Sequence, residues 1–270
     1  MMLKKISKSF LASAILGLSF QASAWEWTMD FDKYYDNSGN EQYIKSGQII
    51  DDEYSSGYVF DEVSGQVVNV GVGATITVEN PNSDDDIAVA FNTGADIAGE
   101  ATSHDSDLKA AFNHYQTGSA NQYNASGERD NILIIQEDGS TGTCGSEYCT
   151  DVDDEGSQPG GQVFIAFNSL VTLESINFFD IEEKPTFITA YNDDANTSKV
   201  FTVPEMGNNN WGAIDLTQYA ANRIAIYLGG SGAFSDLKLS KIATQVSEPH
   251  TILVLIMGLG LIAYRRKSLI

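Results

Sequence analysis

Three stretches of this chain place larger apolar residues at every second position, and that period constrains its fold more than any other feature. Trp25, Trp27, Met29 and Phe31 are separated by Glu26, Thr28 and Asp30. Ala74, Ile76 and Val78 are separated by Thr75 and Thr77, and Ile87, Val89 and Phe91 repeat the pattern. A strand turns successive side chains to opposite faces, so period two marks strands with one buried face. Further strands are predicted at 67–72, 132–135, 162–167, 171–179, 186–191, 199–203, 223–228 and 234–239. Turn-forming clusters punctuate them: Asn80-Pro81-Asn82, Asn92-Thr93-Gly94, Pro159-Gly160-Gly161, Asn192-Asp193-Asp194 and Gly207-Asn208-Asn209. Helical periodicity is nearly absent. Residues 106–115 are its best candidate, with a short turn near 216–221. Many short strands without a βαβ rhythm predict an all-β fold, an antiparallel jelly-roll-like β-sandwich. Residues 95–130 are polar and rich in Gly, Ser and Asn, and are expected to form a surface excursion or lid.

The alternation stops at both ends of the chain. Residues 1–24 carry Lys4, Lys5 and Lys8 and no acid, then an apolar run over 10–20, then Ala22-Ser23-Ala24. A charged start, a short apolar middle and a small-residue cleavage site predict a signal peptide. The mature chain is then expected to begin at Trp25, outside the cytoplasm. At the other end, 251–264 is free of charged side chains and is closed by Arg265-Arg266-Lys267. A helix of that length spans roughly 21 Å at ~1.5 Å per residue. The hydrocarbon core is ~30 Å thick, a gap that flanking residues and snorkelling arginines can close. A single C-terminal transmembrane helix is therefore predicted, with its basic end cytoplasmic. The β-sandwich domain, 25–246, is left on the outer side.

The tail carries a resemblance. Val246-Ser247-Glu248-Pro249-His250-Thr251, then the apolar run, then Arg265-Arg266-Lys267, resembles a PEP-CTERM sorting signal. That family has Pro-Glu-Pro, a transmembrane helix and a basic end. Ser247 stands where it has the first proline; Glu248 and Pro249 match. The resemblance implies that 247–270 is a sorting and anchor segment handled by an exosortase-type processing enzyme. It implies delivery to the cell surface or the extracellular polysaccharide matrix. The middle of the chain is similar to a domain of other sorted envelope proteins, through GQIIDDEYSSGYVF (47–60), NILIIQE (131–137), DDEGSQPGG (153–161) leading into VFIAF, and GSGAFSDL (230–237). This implies a β-sandwich like those of carbohydrate-binding modules.

Charge narrows the function. The whole chain has a net charge of −22, but 25–247 holds nine basic residues against 36 acids, a net charge of −27. A nucleic-acid binder needs a basic face, so that class is excluded. Cys144 and Cys149 are expected to form a disulfide in an oxidising compartment, closing one small loop. Asp151, Asp153 and Glu155 precede Gly156 at alternate positions, like the first half of a calcium loop. Gln162 stands at the twelfth position, so this is no EF-hand. An oxygen-rich loop can still hold a structural Ca²⁺, with Glu53 and Asp236 as outside ligands.

Catalytic signatures are thin. His104 and His114 both lie in the polar excursion, and there is no Gly-x-Ser-x-Gly elbow, phosphate loop or zinc motif. Ser231 is expected in a tight turn. Trp211 follows a run of asparagines, and it is predicted either as core or as a ligand platform at a loop edge, with Tyr115 and Tyr123 in similar polar surroundings. The reading is an exported, surface- or matrix-associated non-catalytic protein, one that binds polysaccharide in a Ca²⁺-dependent way. A polysaccharide-acting hydrolase and a structural adhesin without a ligand pocket are the alternatives. An aromatic-lined sheet face favours glycan binding over both.

Overall fold

The computed structural model describes residues 24–241, apart from 83–85, 95–96, 104–107, 110–111, 119–129, 138–143, 155, 157 and 184. The leader, the sorting residues Ser247, Glu248 and Pro249 and the expected C-terminal helix lie outside the described residues, as do His104, Tyr123 and Glu155. No helix among the described residues is long and apolar enough to cross a membrane.

The described chain is all-β. Its strands are β1 (Trp25–Met29), β2 (Lys33–Tyr35), β3 (Glu41–Tyr43), β4 (Tyr58–Asp61), β5 (Gln66–Asn69), β6 (Ala74–Glu79), β7 (Ala88–Asn92), β8 (Thr102–Ser103), β9 (Asn113–His114), β10 (Asn131–Ile135), β11 (Asp151–Val152), β12 (Gly161–Phe179), β13 (Thr186–Asn192), β14 (Thr197–Val203), β15 (Asn210–Leu228) and β16 (Ala233–Lys241). One 3₁₀ turn, Glu53–Ser56, precedes β4.

Two long strands organise the main sheet. The first half of β12 lies between β6 and the end of β15. Its second half lies between the start of β15 and β16. The pairing of β12 with β15 slips between Ala166 and Val171, and again between Leu173 and Ser175. Such irregularities bend a strand and re-aim its side chains, so β12 and β15 carry the sheet from one half into the other. Beyond β15, β13 and β14 extend the first half. Beyond β16, β1, β10 and β7 extend the second. These pairings are antiparallel; β8 with β11 and β9 with β15 are parallel.

Burial follows the period of the sequence. In the first half Val163, Ile165, Ile188, Ile224 and Ile226 are fully buried, while the residues between them are for the most part half-exposed. Trp25, Trp27 and Met29 join the same core from β1. A second cluster gathers Phe91, Ile132, Ile134, Cys149 and Phe179. It also takes in Leu108 and Phe112, each fully buried, so the polar excursion contributes to the core at those two points. Of the helix expected over 106–115, residues 106–107 and 110–111 lie outside the described residues; 108–109 form a turn and 113–114 the strand β9. The turn expected near 216–221 is a kink inside β15, where Thr217 and Gln218 both take φ of 53° before pairing with β12 resumes at Tyr219. The Pro159-Gly160-Gly161 turn seats against a second glycine loop: a Cβ on Gly160 would come 2.3 Å from the Gly230 carbonyl oxygen. Ser231 lies in that loop and its hydroxyl donates to Glu183 at 3.2 Å.

Candidate functional site

The solvent-side face of the first half-sheet is built by register. Phe187, Tyr227, Gln162 and Glu79 stand opposite one another on β13, β15, β12 and β6. Two residues along, Thr189, Ala225, Phe164 and Thr77 form the next row, and Tyr191, Arg223, Ala166 and Thr75 the one after. Period two puts all three rows on one face, since the residues between them are the buried aliphatics. Phe187 and Tyr227 stack at 5.0 Å, with 19° between their planes. The Arg223 guanidinium lies 4.0 Å over the Tyr191 ring. It also reaches Asp193 at 3.5 Å. Phe164, Phe187, Tyr191 and Tyr227 are each half-exposed. At one end of this face an open hollow of about 400 Å³ is bounded by Glu79, Asn80, Asp86, Gln162 and Tyr227. Flat apolar rings beside amide, carboxylate and guanidinium groups suit a ligand that is apolar on its faces and polar at its edges.

Trp211 is half-buried on β15, beside the second core cluster. Its ring meets His114 edge to face at 5.0 Å, and His114 stacks on Tyr115 at 5.5 Å. The tryptophan and tyrosine singled out from their polar surroundings thus come together through the short parallel strand β9. Cys144 and Cys149 form the expected disulfide, and Cys149 is fully buried in the second cluster.

Glu155 lies outside the described residues, and among these the one group of three or more metal-binding side chains is Asp51, Asp52 and Glu53. Asp151 and Asp153 are half-buried, separated by the buried Val152 and followed by the buried Asp154, whose Oδ2 accepts from the Gly232 N–H at 2.6 Å. Glu53 groups with Asp51 and Asp52, with carboxylate oxygens within 4.8 Å of one another. Its own oxygens accept from Gln48 Nε2 and from the Asp51 N–H. Burial raises the Glu53 carboxyl above its ordinary range. The donor set of the 51–53 turn fits an oxygen-seeking cation such as Ca²⁺.

Asp236 meets different partners. It occupies a left-handed position in β16, with φ of 50°, and its Oδ2 accepts from Asn177 Nδ2 at 2.7 Å. Asp32, between β1 and β2, accepts from the Asn131 N–H at 2.7 Å. Asp30 Oδ1 accepts from the Asp32 N–H. Burial, together with the charges of Asp30, Asp130 and Asp236, pushes Asp32 up to about 8. Burial and the charge of Asp30 push Asp236 up to about 6, against the opposing pull of Lys238. Burial also raises Asp30 itself.

Asp30 lines a second cavity, a cleft of about 70 Å³ where β1, β2 and β4 meet. Trp27, Tyr34, Tyr58, Phe60 and Glu62 line it too. Neither this cleft nor the sheet face was identified as a site from sequence. Strands were expected at 186–191 and 223–228 with their aromatics turned inward as core; Phe187, Tyr191 and Tyr227 are instead half-exposed, and which strands lie side by side is decided by pairing over long separations.

No protein-family model matches the chain, and no curated protein matches it in sequence. Among solved structures it is similar to a family 29 carbohydrate-binding module, at 15% identity over 65% of this chain and 98% of that one, with a TM-score of 0.26. The family 32 module of C. perfringens NanJ in complex with galactose matches at 15% identity over 32% of this chain and 69% of its own, with a TM-score of 0.23. The GH31 module CBM32-2 bound to GalNAc matches at 15% identity over 32% of this chain, with a TM-score of 0.24; the match spans 64% of that module, under two thirds of its length. Likeness at this level assigns neither a fold nor an activity.

Proposed function

We propose that this chain is an exported, non-catalytic protein of the cell surface or extracellular matrix, with a jelly-roll-like sandwich that binds polysaccharide on its outer sheet face. The observation that carries the reading is the group of half-exposed rings, Phe164, Phe187, Tyr191 and Tyr227, on one face of three adjacent strands beside Arg223 and Gln162. A pyranose ring has an apolar face that stacks on an aromatic ring and equatorial hydroxyls that reach amide and charged groups at its edge. Neighbouring strands are ~4.8 Å apart, so rings on successive strands can follow a chain of sugars. Trp211, with His114 and Tyr115, is proposed as a second contact surface. Ca²⁺ at the 51–53 turn is proposed as structural, holding the start of β4 against the core. Export and sorting rest on the leader and on the Ser247-Glu248-Pro249 tail, with an exosortase-type enzyme as the processing partner.

The test is retention on a panel of soluble polysaccharides in native affinity gels, with and without Ca²⁺. Retention by at least one polysaccharide is expected, weakened roughly three- to tenfold by Tyr227→Ala or Phe164→Ala, as the loss of one ring contact predicts. Equal retention of wild type and both variants would rule out the sheet face as the binding surface.

A further inference from the structure

The aromatic cleft at the β1–β2–β4 junction differs from the sheet face in size, shape and charge. It holds about 70 Å³, against about 400 Å³ for the hollow on the sheet, so it takes a head group and not a run of sugar rings. Its walls are rings: Trp27 is buried, Tyr34 and Tyr58 are half-exposed, and Phe60 is 41% exposed at the rim. Trp27 is braced by Tyr54 at 5.8 Å, and Tyr54 in turn accepts a hydrogen bond from the Phe31 N–H, so this wall is held in place.

The polar side chains in the lining are two acids, one lysine, Thr28 and the tyrosine hydroxyls. Asp30 and Glu62 both line the cleft. Each is held by a neutral donor, Asp30 Oδ1 by the Asp32 N–H and Glu62 Oε1 by the Thr28 hydroxyl. Lys33 is the lining cation, and it is committed to Glu41 at 3.1 Å, an oxygen also contacted by the Tyr35 hydroxyl. No ion pair among the described residues engages Asp30 or Glu62. Asp36, Asp52 and Glu53 add negative charge around Tyr34, whose hydroxyl is raised by burial and by those three carboxylates.

Aromatic faces carry negative quadrupole charge, and a cavity that joins them to two carboxylates outside any ion pair, with Lys33 opposing Asp30 through space, selects an organic cation. A hard metal ion would want oxygen ligands on most sides, and the Trp27 and Phe60 rings supply none. We propose that this cleft binds a small soluble organic ammonium group, with the rings enclosing the alkylated nitrogen and Asp30 and Glu62 supplying the counter-charge. The inference does not depend on polysaccharide binding at the sheet face.

The probe is choline, titrated calorimetrically into the purified full chain beside its uncharged isostere, in which a quaternary carbon replaces the nitrogen. Saturable choline binding is expected, with the isostere at least about tenfold weaker, because only the charged form gains the cation–π and carboxylate terms. Glu62→Gln and Phe60→Ala are each expected to weaken choline roughly three- to tenfold. Phe60 is exposed at the rim, so its truncation keeps the fold, and an unchanged melting temperature checks this. Tyr227→Ala is expected to leave choline binding intact while polysaccharide retention falls, which separates the two readings. Equal binding of choline and its isostere, or an unchanged affinity in Glu62→Gln, would overturn the proposal. So would binding to phosphatidylcholine vesicles without binding to free choline, since the source would then be a lipid surface.

Discussion

Asp32 is the residue at which folding does the most to change ordinary chemistry. In the unfolded chain it titrates near 3.8, whereas in the folded chain it holds its proton up to about 8. Between those values the folded state binds more protons than the unfolded one, so stability falls as pH rises. Asp236 acts in the same direction between 3.8 and about 6. The charged groups around the pair are Asp30, Asp130 and Glu62, with Lys238 opposing at Asp236 and Lys33 acting on Asp30. Asp32→Asn keeps an acceptor for the Asn131 N–H and removes the charge. Its gain in melting temperature over wild type is expected to be larger at about pH 8.5 than at about pH 5, where position 32 is uncharged in both folded proteins. A gain that is the same at both would show that Asp32 is ionised throughout. Nothing in the sequence marks this residue. Asp30 and Asp32 read as polar positions of one alternating stretch, and Asp236 lies some 200 residues away in a different one.

At the scale of elements, β12 carries the most. Ile165 is fully buried between β15 and β6, so Ile165→Ala is expected to cost about 3 kcal/mol in chemical denaturation. Val200 lies on the outer strand β14 and is 61% exposed, so Val200→Thr is expected to change stability by less than about 0.5 kcal/mol. Similar costs at the two sites would mean that β14 is covered by another part of the chain. The Cys144–Cys149 disulfide closes a very short loop, and reducing it is expected to cost about 2 kcal/mol, a few degrees in a melting scan. The cores of β1, β6, β7, β10, β13, β14 and β16 were legible because each has apolar residues at the strand period or in a short run. The first half of β15 was not. Asn210–Ala221 mixes Gly, Asp, Thr and Gln, and its conformation comes from pairing with β12 on one side and β9 on the other.

The molecule as a whole is dominated by acid. A charge of −27 on 25–247 repels itself, and salt screens that repulsion over a Debye length of ~10 Å at 0.1 M. The melting temperature is expected to rise as sodium chloride is raised from low to physiological strength. Removal of a bound divalent cation is expected to lower it, so EDTA should reduce the melt and excess Ca²⁺ restore it; a melt indifferent to both would sink the calcium reading. The terminal segments make a separate statement about place: deleting 247–270 is expected to release soluble protein from the membrane fraction, and identical fractionation of both forms would refute the anchor.

By itself the sequence determined the all-β class, the position of most long strands, the disulfide and the acidic excess. These follow from local period, cysteine spacing and summed charge, which need no partner. Tertiary structure decided which faces lie side by side. Tyr227 comes next to Phe187 and Gln162 only through pairings that span 40 and 65 residues, and Asp30 joins Tyr58 and Glu62 in one cleft only once β1, β2 and β4 are docked. A binding site is a property of neighbours. In a sheet, neighbours are set by hydrogen bonds between distant segments, which no single stretch of sequence records.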